Sequence, residues 1–474
     1  MSRRDELLEL CRREPEKVVD LILALEARVR NLEGRLNKNS KNSDKPPSSD
    51  GLSKPARQRR KSERQPGGQK GRCGQTLKFS DNPDEIIQHS RAYCQDCGAS
   101  LADVAGTILS RRQEIEIPEK PIQIIEHQRL EKRCPCCGQQ NQGQWPAHLT
   151  GNVQYGRRFK AFCLYLLNYQ LLPYERTGEL LETLFGYQPG GGTLQSILDQ
   201  AYASLAPIER AIKGAIRASP VGHGDETSIR VNGQTKWLHV VSTLVYTYYY
   251  WSQYRGQKAH LADGLLPSYD GILMHDAYQS YFGHAYEHAL CNAHLLRELQ
   301  AIYEADQSQR WAWQMMRWLR TAWTVVKSAQ EAGQTQLPPP QRDRLLALFD
   351  QLIDRADQQV PRNHRQPGQR GRVAQSAARN LLDRIIDQKA AYLRFVTDFR
   401  VPFDNNLAER DLRMGKLQQK ISGCFRTEKG AHIFCRIRGY ISTLRKQGHD
   451  LLPALLSLWT DTPFLPMPTK KHSV

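Results

Sequence analysis

The chain has 474 residues, enough for several domains and a sizeable core. Its formal charge of +18 and pI near 9.4 imply a polyanionic partner, with nucleic acid leading and a ribosome or membrane surface as alternatives. No apolar stretch approaches the ~18 to 20 residues that cross a bilayer, and the polar start MSRRDELLEL does not read as a secretory signal, so a cytoplasmic protein is expected.

The first predicted element is a helix within residues 1–38. Val18, Ile22, Leu25, Val29, Leu32 and Leu36 alternate by four and three and form one seam. A short coiled coil that makes a homodimer or higher oligomer is expected, with a helix packed on its own domain as the alternative. Residues 39–78 turn to Ser, Pro, Gly, Lys and Arg and offer no core, so an extended or disordered linker is expected. Within 53–72, eight Lys or Arg, among them Arg57, Arg59, Arg60 and Lys61, stand against the single acid Glu63. They would contact phosphates without reading bases, unless the segment is only a solvated linker.

Eleven cysteines, an odd number in a cytosolic setting, argue against a disulfide framework. Cys94-Gln-Asp-Cys97-Gly and Cys134-Pro-Cys-Cys137-Gly, separated by 36 residues, are two CxxC knuckles suited to one tetrahedral Zn2+. Residues 79–150 therefore read as a zinc ribbon, with strands at Arg112–Ile117 and Pro121–His127. Cys136 is a substitute ligand, and a redox CxxC is the rival reading. The remaining cysteines, including Cys291, read as buried and inert.

Residues 151–218 are mostly helical: Arg158–Leu171, Tyr174–Leu184, a GYQPGGG turn, then a helix capped by Thr193. Helix, turn and helix suggest a helix-turn-helix with Arg157 and Arg158 on the DNA backbone; a plain helical packing domain is the alternative.

From Val221 a strand runs to Arg230, and Asn232-Gly233 marks a hairpin. The runs Trp237–Val245 and Tyr246–Trp251 follow, then a short helix over Lys258–Leu266, a strand Gly271–His275 ending on Asp276, another at Glu287–Cys291, and a helix at His294–Tyr303. Three strands, helix, strand, helix resembles the ribonuclease H fold, split here into 219–305 and 400–420. The first strand carries Asp225 and the fourth ends on Asp276. Residues 306–399 read as a helical insertion whose stripe of Trp311, Met315, Trp318, Leu319 and Ala322 is core, and Pro361–Arg372 is a basic loop. Asp404 or Asn405 caps a helix that buries Leu407, Leu412 and Leu417 and holds Glu409 in its first turns. On that helix Arg410, Arg413 and Lys416 are spaced to surround one phosphate. Residues 421–474 read as a basic helical C-terminal segment, and Lys420–Lys446 is expected to line a DNA channel. Converging carboxylates repel one another and persist ionised only around cations, so Asp225, Asp276 and Glu409 form a candidate two-metal site for Mg2+ or Mn2+.

These motifs carry a family resemblance across nearly the whole chain. NSKNSDKPPSSDG, GGQKGRCGQTL, the paired cysteines, LLPYERTGELLETLFG, GDET, HDAYQSY, CNAHLLREL and DNNLAERDLR stand in the order seen in transposases of the insertion-sequence-sixty-six family, the TnpC type. The resemblance implies a DDE triad of Asp225, Asp276 and Glu409, and a DNA partner comprising element ends and target, met in the bacterial nucleoid. It also implies accessory proteins of the same element in some members. After the motif histidine many members have an Ala-Arg-Arg-Lys-like segment where this chain has His294-Leu295-Leu296-Arg297-Glu298. That difference leaves the DNA-binding roles of His294 and Arg297 open. The overall expectation is a multidomain α/β protein: coiled coil, zinc ribbon and helical DNA-binding domain ahead of a ribonuclease H-like core. The rival functions are a non-catalytic DNA-binding regulator and a structure-specific nuclease without strand transfer.

Overall fold

The computed structural model describes residues 9, 11–36, 79–115, 117–118, 121–137, 139–365, 373–460 and 462–467. The linker with Arg57, Arg59, Arg60 and Lys61 lies outside the described residues, as does the 366–372 part of the basic loop. Among the described residues no helix is long and apolar enough to cross a membrane. Two compact units emerge: Met1–Ser53 with Pro146–Glu182 and Tyr187–Val474, and Lys54–Trp145 with Thr183–Gly186.

Helix α1, Pro15–Leu36, opens on a proline, whose missing N–H costs nothing in a first turn. Ile22, Leu25 and Val29 of its seam are about half exposed.

In the smaller unit the ribbon is short. β1 (Glu131–Arg133) and β2 (Gln140–Gln142) pair antiparallel around the second CxxC, and a Tyr93–Ser100 bridge closes the first. The strands expected at Arg112–Ile117 and Pro121–His127 do not form among the described residues. Their apolar positions Ile115, Ile117, Ile124 and Ile125 stay 65–74% exposed, so alternation there finds no layer to bury against.

In the larger unit, α2 (Arg157–Leu164), a π-helical turn (Tyr165–Tyr169), α3 (Tyr174–Phe185), α4 (Gly191–Ser204) and α5 (Ala206–Arg217) precede the sheet. The cap assigned to Thr193 belongs to Gly190. That glycine is extended, and its carbonyl accepts from the Leu194 N–H, so the helix begins inside the Gly-rich turn and Thr193 lies exposed in its first turn.

The sheet has five strands: β3 (Val221–Val231), β4 (Gln234–Ser242), β5 (Thr247–Ser252), β6 (Ile272–His275) and β7 (Glu287–Leu290), in the order β5-β4-β3-β6-β7. β3, β4 and β5 are antiparallel; β6 and β7 run parallel to β3. Asn232 and Gly233, at φ 49° and 72°, form the two-residue turn whose twist suits a hairpin. Strands β4 and β5 meet at a turn over 243–246, so the second run ends at Ser242 rather than Val245. Helix α6 spans only Gln257–Asp263, because Gly264 terminates it in the left-handed conformation at φ 80°.

After β7 come α7 (Asn292–Ala305), α8 (Arg310–Glu331), α9 (Pro339–Gln359), α10 (Ala377–Asp387) and α11 (Lys389–Thr397). They share one core in which Trp311, Met315, Trp318, Leu319 and Ala322 are all buried. Finally α12 (Asn406–Ser422), α13 (Glu428–Lys446) and α14 (Leu451–Leu456) return to the sheet. α12 and α13 cover the face made by Ile229, Val231, Leu238, Val240 and Tyr249.

Candidate active site

Helix α12 is seated on the sheet through Ala408, Leu412 and Gly415, and not through Leu417, which is 43% exposed. Gly415 permits the closest approach: a methyl built there would fall inside the contact distance of Leu238 Cδ2. Polar ties fix the helix. Asp411 accepts from Lys446 Nζ at 2.8 Å, and Tyr249 donates its hydroxyl to the Asp411 carbonyl at 2.9 Å. Lys416, expected on phosphate, instead donates to the Ser228 carbonyl and, at 3.2 Å, to Ser228 Oγ. Burial lowers its pKa, and it serves as a strap between α12 and β3.

Asn405, at the N-cap of α12, makes no side-chain cap bond. Asp404 Oδ1 instead accepts from the Asn406 N–H at 3.0 Å. The Asn405 side chain turns inward, donating through Nδ2 to the Gly224 carbonyl at 2.9 Å and meeting His223 Nδ1 at 2.9 Å. Its N–H donates to Cys291 Sγ at 3.2 Å. One buried asparagine thus ties the start of α12 to the strand of Asp225 and to the residue preceding α7. Burial holds His223 near pKa 4 and therefore neutral at pH 7.

Asp225 lies on the central strand β3. The β3–β6 register pairs His223 with Met274, and two residues further along both strands stand Asp225 and Asp276. Glu409 enters from the first turn of α12. The Asp225 carboxyl is pushed well above the carboxylate range by burial, and further by the charges of Asp276, Glu226 and Glu409. A bond from the Glu226 N–H at 2.8 Å opposes that shift. Asp276 is oriented by the Tyr278 N–H at 3.0 Å, in a turn where Ala277 takes φ 68°. Among the described residues the carboxylate oxygens of Asp225, Asp276 and Glu409 do not all come within 4.8 Å of one another; as oxygen donors whose charges repel, they fit a hard divalent cation.

Glu226 projects to the opposite side of the strand. It accepts from Arg255 Nε at 2.9 Å and from the Tyr281 hydroxyl at 2.6 Å, and it is 8% exposed. The Arg255 guanidinium also lies 4.1 Å from the Tyr278 ring centroid, so it grips the turn that carries Asp276. Sequence reading missed Glu226, Arg255 and Tyr281; the only signal was the adjacency of two acids in GDET. It also missed Asn405 as a tie, although the residue lies inside the DNNLAERDLR motif.

His294, in the first turn of α7, places Nδ1 3.9 Å from Glu409 Oε1. Burial works against its protonated form, but the bond to Cys291 and the charges of Cys291 and Glu409 outweigh it and raise the pKa to about 9. Arg297 is one turn further along α7. Arg410 and Arg413 are exposed on α12, and Arg157 and Arg158 are exposed at the start of α2. The basic segment after Lys420 is largely engaged within the fold. Lys429 pairs with Asp199, Arg436 with Glu209, Arg438 with the Asn168 carbonyl and Lys446 with Asp411. Of the basic residues expected to line a DNA channel, Lys420, Arg426 and Arg445 stay exposed and without such an ion pair.

In the smaller unit, Cys94 and Cys134 each head a tight turn. The Cys94 N–H donates to Ala99 O at 2.9 Å and the Cys134 N–H to Gln139 O at 2.8 Å. Backbone N–H groups of Cys97 and Asp96 lower the Cys94 thiol, and those of Cys137 and Cys136 lower Cys134. Thiols biased to thiolate at the head of a knuckle suit Zn2+. Among the described residues, however, Cys94, Cys97, Cys134 and Cys137 do not converge as a metal-sized cluster.

Comparison with protein-family models matches residues 152–433 to the family described as Transposase IS66 family. Residues 92–138 match the zinc-finger binding domain of transposase IS66, and residues 9–78 match a family of unknown function, DUF6444. The first match covers more than half of the 474 residues. No curated protein matches the chain.

Proposed function

The chain belongs to the IS66 transposase family, and from that premise we propose that it is a DDE transposase with a ribonuclease H-like core. It would bind the ends of its mobile element, cut their 3′ ends and join them to target DNA. The observation that carries this reading is the placement of Asp225 on β3 beside Asp276 at the end of β6, with Glu409 in the first turn of α12 near enough for its charge to act on Asp225. The strand order β5-β4-β3-β6-β7, with three antiparallel strands and two parallel ones, supports the ribonuclease H-like core.

In this reading Asp225, Asp276 and Glu409 would together hold the divalent cations. Mg2+ or Mn2+ bound there would supply activation of the attacking oxygen and charge stabilisation at the leaving oxygen of an in-line displacement. The chain's own residues set the geometry. Arg255 and the Tyr278 N–H hold the Asp276 turn, Asn405 and Lys416 hold α12, and Arg410 and Arg413 approach flanking phosphates. Water attack frees the 3′-OH of the element, and that hydroxyl then attacks a target phosphodiester and displaces a target 3′ oxygen.

The zinc-binding knuckles Cys94, Cys97, Cys134 and Cys137 would close on one Zn2+ and, with the basic linker, Arg157 and Arg158, hold the DNA ends. Helix α1 would pair two chains through its exposed seam, since two ends must be cut together. The setting is the nucleoid, with accessory proteins of the same element as further partners.

Purified protein incubated with labelled element ends and Mg2+ tests the reading. Nicking at the 3′ ends and joining to a second DNA, both abolished by EDTA and by Asp276→Ala, are expected. Cleavage that survives Asp276→Ala would remove that residue from the site, and cleavage without joining would leave a nuclease.

A further inference from the structure

Beside the carboxylates lies a second donor set of different chemistry. Cys291 Sγ, a ring nitrogen of His294 and a carboxylate oxygen of Glu409 all lie within 4.8 Å of one another, the one such group among the described residues. Cys291 is 2% exposed. His294 Nδ1 and Glu409 Oε1 are buried atoms 3.9 Å apart, an ion-pair separation too long for a hydrogen bond. Buried polar atoms ordinarily close to bonding distance, so an imidazole nitrogen and a carboxylate oxygen that stay apart beside a sulfur mark a place for a cation. Donor separations of this size need only a small contraction to match Zn–S of ~2.3 Å and Zn–N of ~2.0 Å in a tetrahedron with one open position.

The scaffold is rigid. Cys291 stands at the N-cap of α7 and already receives the Asn405 N–H, while His294 follows within the first turn. Glu409 comes from α12, whose seat on the sheet is fixed by Asp411, Gly415 and Lys416. A hard cation such as Mg2+ does not take a buried sulfur, whereas thiolate and imidazole together select borderline metals.

We propose that Cys291, His294 and Glu409 form a site for a thiophilic divalent cation of the zinc class, and that filling it withdraws Glu409 from the hard-metal site and stops DNA cleavage. Binding displaces the Cys291 thiol proton and the His294 imidazolium proton to solvent and leaves one coordination position for water. The inhibitory half rests on Glu409 belonging to the catalytic triad; the binding half does not.

The test uses full-length protein whose knuckle cysteines have first been filled with Zn2+. Co2+ is then titrated into wild type, Cys291→Ser and His294→Gln, and uptake is read by metal analysis and by the thiolate-to-cobalt absorption band. Wild type is expected to take one more ion per chain than either variant, and the extra absorption should vanish in Cys291→Ser. In a parallel arm Zn2+ is added to Mg2+-driven cleavage. Its half-inhibitory concentration should rise at least ~10-fold in Cys291→Ser, measured against that variant's own uninhibited rate.

Equal uptake by all three proteins, with matching circular dichroism melts, would overturn the site. An extra ion that leaves Mg2+-driven cleavage unchanged would overturn the competition. Absence of any Mg2+-driven cleavage would instead count against the transposase reading, while the metal count still decides the site.

Discussion

Replacing Gly415 by alanine isolates the seat of α12 from the chemistry it supports. Gly415 is six residues beyond Glu409, about 9 Å along the helix at ~1.5 Å per residue. The added methyl would meet Leu238 Cδ2 well inside contact distance, while the next atom, Leu238 Cγ, stands 3.8 Å away. Leu238 is fully buried in β4 among Ile229, Val240, Tyr249 and Leu412, so it has little room to turn aside. Helix or strand must then shift by more than ~1 Å to restore the ~3.5 Å at which carbon atoms rest. Overpacking of this kind costs ~1 to 3 kcal/mol, and alanine's better helix propensity returns up to ~1 kcal/mol. Stability should therefore fall by ~0 to 2 kcal/mol. A displacement of ~1 Å at Glu409 should nonetheless cost ~100-fold in cleavage rate. The assay pairs Mg2+-dependent cleavage of labelled ends with a thermal melt. Adding Leu238→Ala, which removes the obstructing carbon, should restore ~10-fold or more of the lost rate. Wild-type cleavage by Gly415→Ala, or a loss that Leu238→Ala leaves untouched, would refute the argument that this contact positions Glu409.

Asp225→Asn replaces a carboxyl whose ionisation burial and the neighbouring acids already oppose, so the metal-free variant should melt no lower than wild type. Mg2+ at ~100 times its dissociation constant should stabilise wild type by ~2.7 kcal/mol and the variant far less; an equal Mg2+ shift in both would contradict the ligand role. His239 and His260 are buried, and burial above all lowers them to about 4 and about 3. On His239 the Arg255 charge adds to that shift while the Tyr254 carbonyl and Asp263 oppose it, and His239 and His284 lower His260 further. Because the folded state binds fewer protons than the unfolded chain, their stability contribution is complete above pH ~6.5 and is lost as pH falls toward 4. From pH 6.5 to 4.5 the loss is ~2 kcal/mol for each ring; His223 and His275 are lowered by burial as well, so over this range the stability of His239→Gln by denaturant titration should fall ~2 kcal/mol less than that of wild type. Parallel curves would rule out His239 as a source of acid lability. Lys446→Met leaves Asp411 without its cation at a nearly closed site, so it should cost ~3 kcal/mol by denaturant titration; a loss under ~1 kcal/mol would mean that water replaces the lysine.

What could be read in advance was whatever is written in consecutive residues. The Asn232-Gly233 turn needs positive φ at two adjacent positions, so two residues suffice to announce it. Asp276 ends a run of four buried residues, Ile272–His275, and an abrupt polar residue after such a run is itself the boundary. The Trp stripe of α8 was legible for the same reason, because helical spacing places its members on one face. The ribbon strands at 112–127 failed because alternation promises a strand only where another layer buries one face, and the exposed isoleucines there have none.

The electrostatics of the site was far less legible, because charge is assigned by partners distant in sequence. Lys416, Arg436, Arg438 and Lys446 read as a basic surface in a chain of +18, yet each is held by Ser228, Glu209, Asn168 or Asp411. Their apparent attraction for DNA is already satisfied internally. Asn405 is the sharper case. A residue typical of helix starts was expected to cap α12, but closing the fold placed it beside Gly224, His223 and Cys291. There its two side-chain bonds satisfy buried groups whose desolvation would otherwise cost ~1 to 3 kcal/mol each, more than the ~1 kcal/mol a cap supplies. Satisfying the buried groups therefore prevails over capping, and those groups become neighbours only once strand, helix and loop have met. The consequence is functional: the strand of Asp225, the helix of Glu409 and the loop before His294 share one buried asparagine, through its side-chain amide and its backbone N–H, as their common fastening. Disturbing Asn405 should therefore displace the carboxylates together rather than one at a time.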